Sequence, residues 1–97
     1  MANILTNMNP FSIDKNPTDI LKELAQRTRT LRKEHKMSQS ELAQRANVSL
    51  GSYKRFETSG HISLDSLLKI AFILGKLNDF ETVFQSNKNK DLEKLFK

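Results

Sequence analysis

From residue 17 onwards the apolar positions fall at helical spacing, and each run is introduced by a residue able to cap a helix. Asn16-Pro17 followed by Asp19 marks the first start. Asparagine caps, proline suits the first helical position, and the acid faces the positive end of the macrodipole. Ile20, Leu24 and Leu31 share one face, and this helix is expected to run to about His35. Ser38-Gln39-Ser40-Glu41 is a capping box, predicting a second helix of about Gln39 to Ala46 with Leu42, Ala43 and Ala46 inward. Asn47 tolerates the left-handed conformation that ends a helix. Ser49 caps a third, about Leu50 to Phe56, with Tyr53 and Phe56 inward and Gly51, Lys54 and Arg55 outward. A break follows at Thr58-Ser59-Gly60.

Ser63 opens a fourth helix whose apolar residues, Leu64, Leu67, Leu68 and Ile70 to Leu74, lie nearly all round it. Such a helix is the central core helix, or it also forms a contact between subunits. Gly75 ends it, and Asn78 or Asp79 starts a short fifth helix through Phe84. Residues 1–16 show no period. They read as an arm that packs on the domain, packs on a second subunit, or stays disordered. Residues 85–97 read as a tail: a polar linker, Ser86 to Lys90, then Asp91 to Lys97 with the pattern of one or two amphipathic turns. The expected fold is all-α: one five-helix domain over residues 17–84 with an arm at each end.

Composition narrows the chemistry. At 97 residues the chain makes one domain. Cysteine is absent, which excludes disulfides, thiolate zinc sites and cysteine nucleophiles, and two histidines are too few for a histidine cage. No metal or other cofactor is expected. No apolar stretch approaches the roughly 18 residues of a membrane span, and the N-terminus lacks the pattern of a signal peptide. A cytoplasmic, nucleoid-associated location is therefore expected. Of the net charge of +5, residues 27–55 carry +6 and the rest −1. A polyanion partner and a merely solubilising face both fit that asymmetry.

The second and third helices decide between them. Small Ala43 and Ala46 let the helices approach closely, Val48 plugs the turn, and Tyr53 with Phe56 lock the third helix to the core. What projects is small, polar or basic: Ser49, Gly51, Ser52, Lys54 and Arg55. A surface that narrow enters a major groove about 12 Å wide. Residues 24–75 resemble the Cro and phage-repressor (XRE) class of helix-turn-helix domains. The likeness is carried by Met37 to Ser49, Tyr53 to Glu57 and Ile62 to Gly75, with the family's spacing throughout. The lambda-repressor-like fold is what this implies, with double-stranded DNA as partner.

The resemblance also implies roles. Gln39 matches a glutamine that binds phosphate and orients the recognition helix. Leu50, Gly51 and Lys54 stand where base edges are read, and Ser52 and Arg55 where phosphate or neighbouring bases are met. Arg32 and Glu57 match a partly buried structural ion pair. Leu50 and Gly51 depart from the family's long polar readers. Direct reading then falls to Lys54 on a guanine, with Ser49, and to Leu50 on a thymine methyl, or else rests on DNA shape.

A narrower likeness covers Tyr53 to Ala71 and Leu74 to Phe80, which resemble the HipB-type antitoxins. It implies a homodimer that represses its own operon at a palindromic operator and joins a HipA-type kinase toxin. Stand-alone repressors of phage or operon type, and adaptors that use the fold without DNA, are the alternatives. Dimerisation is expected through the fifth helix, the C-terminal segment or the N-terminal arm. No enzyme is expected: no nucleophile has a base and an orienting acid at recognisable spacing, and Ser38, Ser49 and Ser63 are accounted for as caps.

Overall fold

A computed structural model describes residues 15–87. The elements are α1 (Pro17–Glu34), α2 (Gln39–Arg45), α3 (Leu50–Ser59) and α4 (Leu64–Ile73), followed by a 3-10 turn at Leu77–Phe80. Among the described residues there is no strand. Apart from Lys15 and Asn16 at one end and residues 85–87 at the other, the expected arm and tail lie outside the described residues.

The helix starts follow the capping pattern. Asn16 and Ser38 each accept the backbone N–H three residues on, and Asp19 and Glu41 reach back to complete two capping boxes. Ser49 and Ser63 cap α3 and α4 in the same way, without the returning acid.

Three helix ends share one device. Lys36, Asn47 and Gly75 have φ of 58°, 57° and 73°. The N–H three residues past each helix then bonds back across the last turn: Met37 to Arg32 at 3.1 Å, Val48 to Ala43 at 2.9 Å, Lys76 to Ala71 at 2.8 Å. This is the Schellman arrangement, and it satisfies carbonyls that would otherwise be left unpaired. At Asn47 it makes the tight turn that aims α3 away from α2. The expected break after Phe56 comes later: α3 continues to Ser59 and ends at Gly60, whose φ is 85°.

The core is built around α3. Tyr53, Phe56, Leu42 and Ile70 are its largest fully buried side chains, with Ala25, Ala43, Ala46, Met37, Val48 and Leu74 around them. Tyr53 and Phe56 meet edge to face, ring centres 6.2 Å apart. Gly60 lets the end of α3 touch α1: a Cβ there would lie 2.7 Å from the backbone carbonyl of Leu21.

Two expectations are corrected. On α1 the deeply buried stripe is Ala25, Thr28 and Arg32, while Ile20 is largely exposed and Leu24 and Leu31 are half-buried. The closeness of α3 to α1 favours small or hydrogen-bonded residues along that stripe, and Thr28 donates its hydroxyl to the Leu24 carbonyl at 2.7 Å. The fifth helix expected from Asn78 or Asp79 through Phe84 is also not an α-helix. Leu77–Phe80 forms one 3-10 turn with no side-chain cap, and Val83 and Phe84 are exposed. Val83 and Phe84 find nothing to pack against, so nothing offsets the cost of nucleating a helix there.

Candidate nucleic-acid interface

One carboxylate holds the helix-turn-helix together from behind. Glu57, near the end of α3, accepts from Arg32 Nε at 2.7 Å and Nη2 at 3.2 Å, from Gln39 Nε2 at 2.9 Å, and from the Tyr53 hydroxyl. Arg32 Nη1 donates to the Met37 carbonyl at 2.9 Å. Three helices therefore meet on one acid whose side chain is 6% exposed. Burial by itself pushes the Glu57 carboxyl up. The donors Arg32, Tyr53 and Gln39 outweigh it and hold the group below the usual carboxylate value. The hydrogen bond to Glu57 raises Arg32 in turn, and burial with that same carboxylate raises Tyr53.

The front of α3 is the opposite. Ser49, Leu50, Gly51, Ser52, Lys54 and Arg55 are all exposed, on the side away from Tyr53 and Phe56. Some surface cations are neutralised locally, Lys15 and Arg27 by Glu23, Arg45 by Glu41 and Lys69 by Asp65, while Lys22, Arg29, Lys33, Lys36 and Lys76 make no ion pair among the described residues. Neither Lys54 nor Arg55 makes an ion pair among the described residues. Their charge is left to face outwards.

The structure thus brings all seven sequence-predicted DNA residues to α3 or to the start of α2, in two kinds of environment. Gln39 is half-buried, and because a carboxylate only accepts, its amide nitrogen must face Glu57. Its oxygen and second N–H are free of that bond. The Ser49 hydroxyl accepts the Ser52 N–H at 3.1 Å and donates to the Ser52 Oγ at 2.8 Å, so it is committed to the cap. Of the two hydroxyl protons, only that of Ser52 can point outwards. Arg32 and Glu57 form the expected partly buried pair.

Two grooves flank α3. One, of about 370 Å³, is lined by Ser52, Arg55, His61, Ile62, Ser63 and Ser66; the other, of about 560 Å³, by Arg29, Arg32, Ser38, Gln39, Glu57 and Thr58. Sequence reasoning left Arg29 undistinguished among its basic neighbours, and only the fold sets it beside Gln39. Tyr53 was legible as core. Its hydroxyl bond was signalled only by Glu57 standing four residues on, the spacing at which helix side chains meet. Among the described residues no group of three or more His, Asp or Glu is placed to hold a metal, and no helix is long and apolar enough to cross a membrane.

A buried scaffold that fixes one short helix against another, with basic and small side chains on the free face, defines a helix-turn-helix module. A helix-turn-helix family model matches residues 29–77, half of the chain. The chain belongs to this family, of XRE type, and is a DNA-binding transcription regulator. Searches of curated proteins and of solved structures give no match.

Proposed function

We propose that the chain is a homodimeric repressor that binds a palindromic operator next to its own gene, in the cytoplasm, and acts by binding and not by catalysis. The observation that carries this reading is the unpaired basic front of α3 set on a buried network in which Glu57 joins three helices. In it Lys54 reads a guanine edge, Arg55 and Ser52 meet phosphate on one flank, and Gln39 with Arg29 meets phosphate on the other. Two copies place their α3 helices about 34 Å apart, in successive major grooves.

A dimer needs a surface, and α4 offers one. Phe72 is 67% exposed, with Leu68, Ile73 and Leu77 around it. This supports self-association through the outer face of α4, since residues 78–84 form no α-helix to supply it.

The test is a gel shift of the purified protein on the DNA upstream of its own gene, at two salt concentrations. Preference for that fragment over random DNA, falling steeply with salt, is the expected result. Equal, weak binding to both fragments contradicts the repressor and favours the adaptor. The finer reading, a HipB-type antitoxin that holds a HipA-type kinase, rests on the Tyr53 to Phe80 likeness. Affinity capture from the native host should then recover a kinase, and capture without one refutes it.

A further inference from the structure

Gly51 has no reason in its own fold. It is the second residue of α3, exposed, and has no positive φ. A Cβ built there meets nothing within 4 Å. Gly60 and Gly75 differ, since each sits at a helix end with φ that side chains rarely adopt, and Gly60 also touches Leu21. Glycine inside a helix weakens it relative to alanine. At Gly51 that loss has no compensation within the chain. What a side chain at Gly51 would obstruct lies outside the molecule.

Its neighbours indicate what lies there. Leu50, beside it, is 38% exposed, a large apolar side chain at the very start of α3. The Ser49 hydroxyl accepts from the Ser52 N–H and donates to the Ser52 Oγ, so it is drawn in to the cap. Lys54 stands one turn on. The first turn of α3 is therefore a bare, partly apolar tip with a cation behind it. Base edges in a major groove offer an apolar feature only at the thymine methyl, and acceptors for a lysine at guanine.

We propose that Gly51 is kept bare so that the first turn of α3 seats against the floor of the major groove. Leu50 then lies on a thymine methyl, and one A·T pair per half-site is selected by contact. This rests on the groove-reading role given to α3 above and adds a determinant to it. Specificity at this position comes from closeness, not from a hydrogen bond.

Two measurements on the full chain test it. Gly51→Ala should raise the melting temperature by about 2–8 °C, because the helix gains a better residue. It should weaken binding to the upstream fragment at least about fivefold, since an added methyl overpacks a close contact. In the same fragment, replacing thymines one at a time by deoxyuridine removes single methyl groups. One position in each half-site should cost the unsubstituted protein about fourfold, the worth of a buried methyl, and Gly51→Ala should blunt that penalty. Unchanged affinity in Gly51→Ala overturns the proposal while leaving the repressor intact. So does a lowered melting temperature, which would mean the glycine serves the fold, and so does a deoxyuridine scan without a sensitive position. Absence of any preference by the unsubstituted protein removes the repressor reading, and this one with it.

Discussion

The two sides of α3 and the outer face of α4 obey different rules. Behind α3 the buried polar groups of Arg32 and Tyr53 have partners, and one carboxylate serves donors from three helices. In front of α3 the cations are unpaired and the side chains short. On α4 large apolar side chains, Leu64 and Phe72, are exposed beside the Asp65–Lys69 ion pair, with Leu77, Val83 and Phe84 beyond. The first face presents charge and a narrow profile, which suits a polyanion. The second presents hydrocarbon, which suits protein. The contrast sets a charged face on α3 apart from a more apolar one on α4, with the Glu57 cluster between the helices and not within either face.

Breaking the cluster has the largest effect. Glu57→Ala leaves the Arg32 guanidinium buried without its acid, and should cost about 3–5 kcal/mol of stability in a denaturant titration. Glu57→Gln keeps the shape, loses the charge, and should cost less. Gly60→Ala follows, at about 2 kcal/mol or more, because its Cβ would meet the Leu21 backbone and its φ is left-handed. Gly60→Ala should leave the front of α3 and Gln39 chemically untouched, so its loss of DNA binding should track the unfolded fraction, whereas Glu57→Ala also frees Gln39 and should lose more.

The cluster also sets how pH acts. The Glu57 carboxyl lies lower in the folded chain than in the unfolded one, so its contribution is present above the ordinary carboxylate value of 4.5. That contribution fades as pH falls through the lower folded value. Tyr53 lies higher in the folded chain, so its contribution holds below its ordinary value of 10.0 and fades as pH rises above it. Thermal melts across pH should show loss of stability at both extremes. Glu57→Gln should flatten the acid side.

A smaller effect on stability sharpens the comparison from the other face. Phe72→Glu changes an exposed residue and should move monomer stability by no more than about 0.5 kcal/mol. If the outer face of α4 joins two copies, the same change should shift sedimentation from dimer to monomer at a given concentration. An unchanged dimer would move the interface elsewhere.

The helix starts, the turn and the inward residues Leu42, Ala43, Ala46, Val48, Tyr53 and Phe56 were legible because capping and helical spacing are local properties. The end of α3 was placed too early, since Thr58 and Ser59 look like turn residues. In the fold they extend the helix, each donating its hydroxyl to the carbonyl four residues back. Ala25 and Thr28 on α1 were hidden because their burial depends on how closely α3 approaches, which no periodicity records, while Arg32 was legible only through the family resemblance. The fifth helix failed for the converse reason: apolar residues at helical spacing were present, but the fold gave them nothing to pack against. At the interface, Lys54 and Arg55 were readable as outward cations. The ties of Gln39 to Glu57 and of Ser49 to Ser52 were not, because they rest on the crossing of helices and on one turn's geometry.

The claim that α3 reads DNA is tested most directly at Lys54. The measurement is affinity of the unsubstituted protein and of Lys54→Ala for the operator and for every single base-pair change within one half-site. Lys54→Ala should lose about 1–3 kcal/mol on the operator and become indifferent to the base at one position, while keeping its preferences at the others. Unchanged affinity together with an unchanged preference at every position would contradict the placing of α3 in the groove.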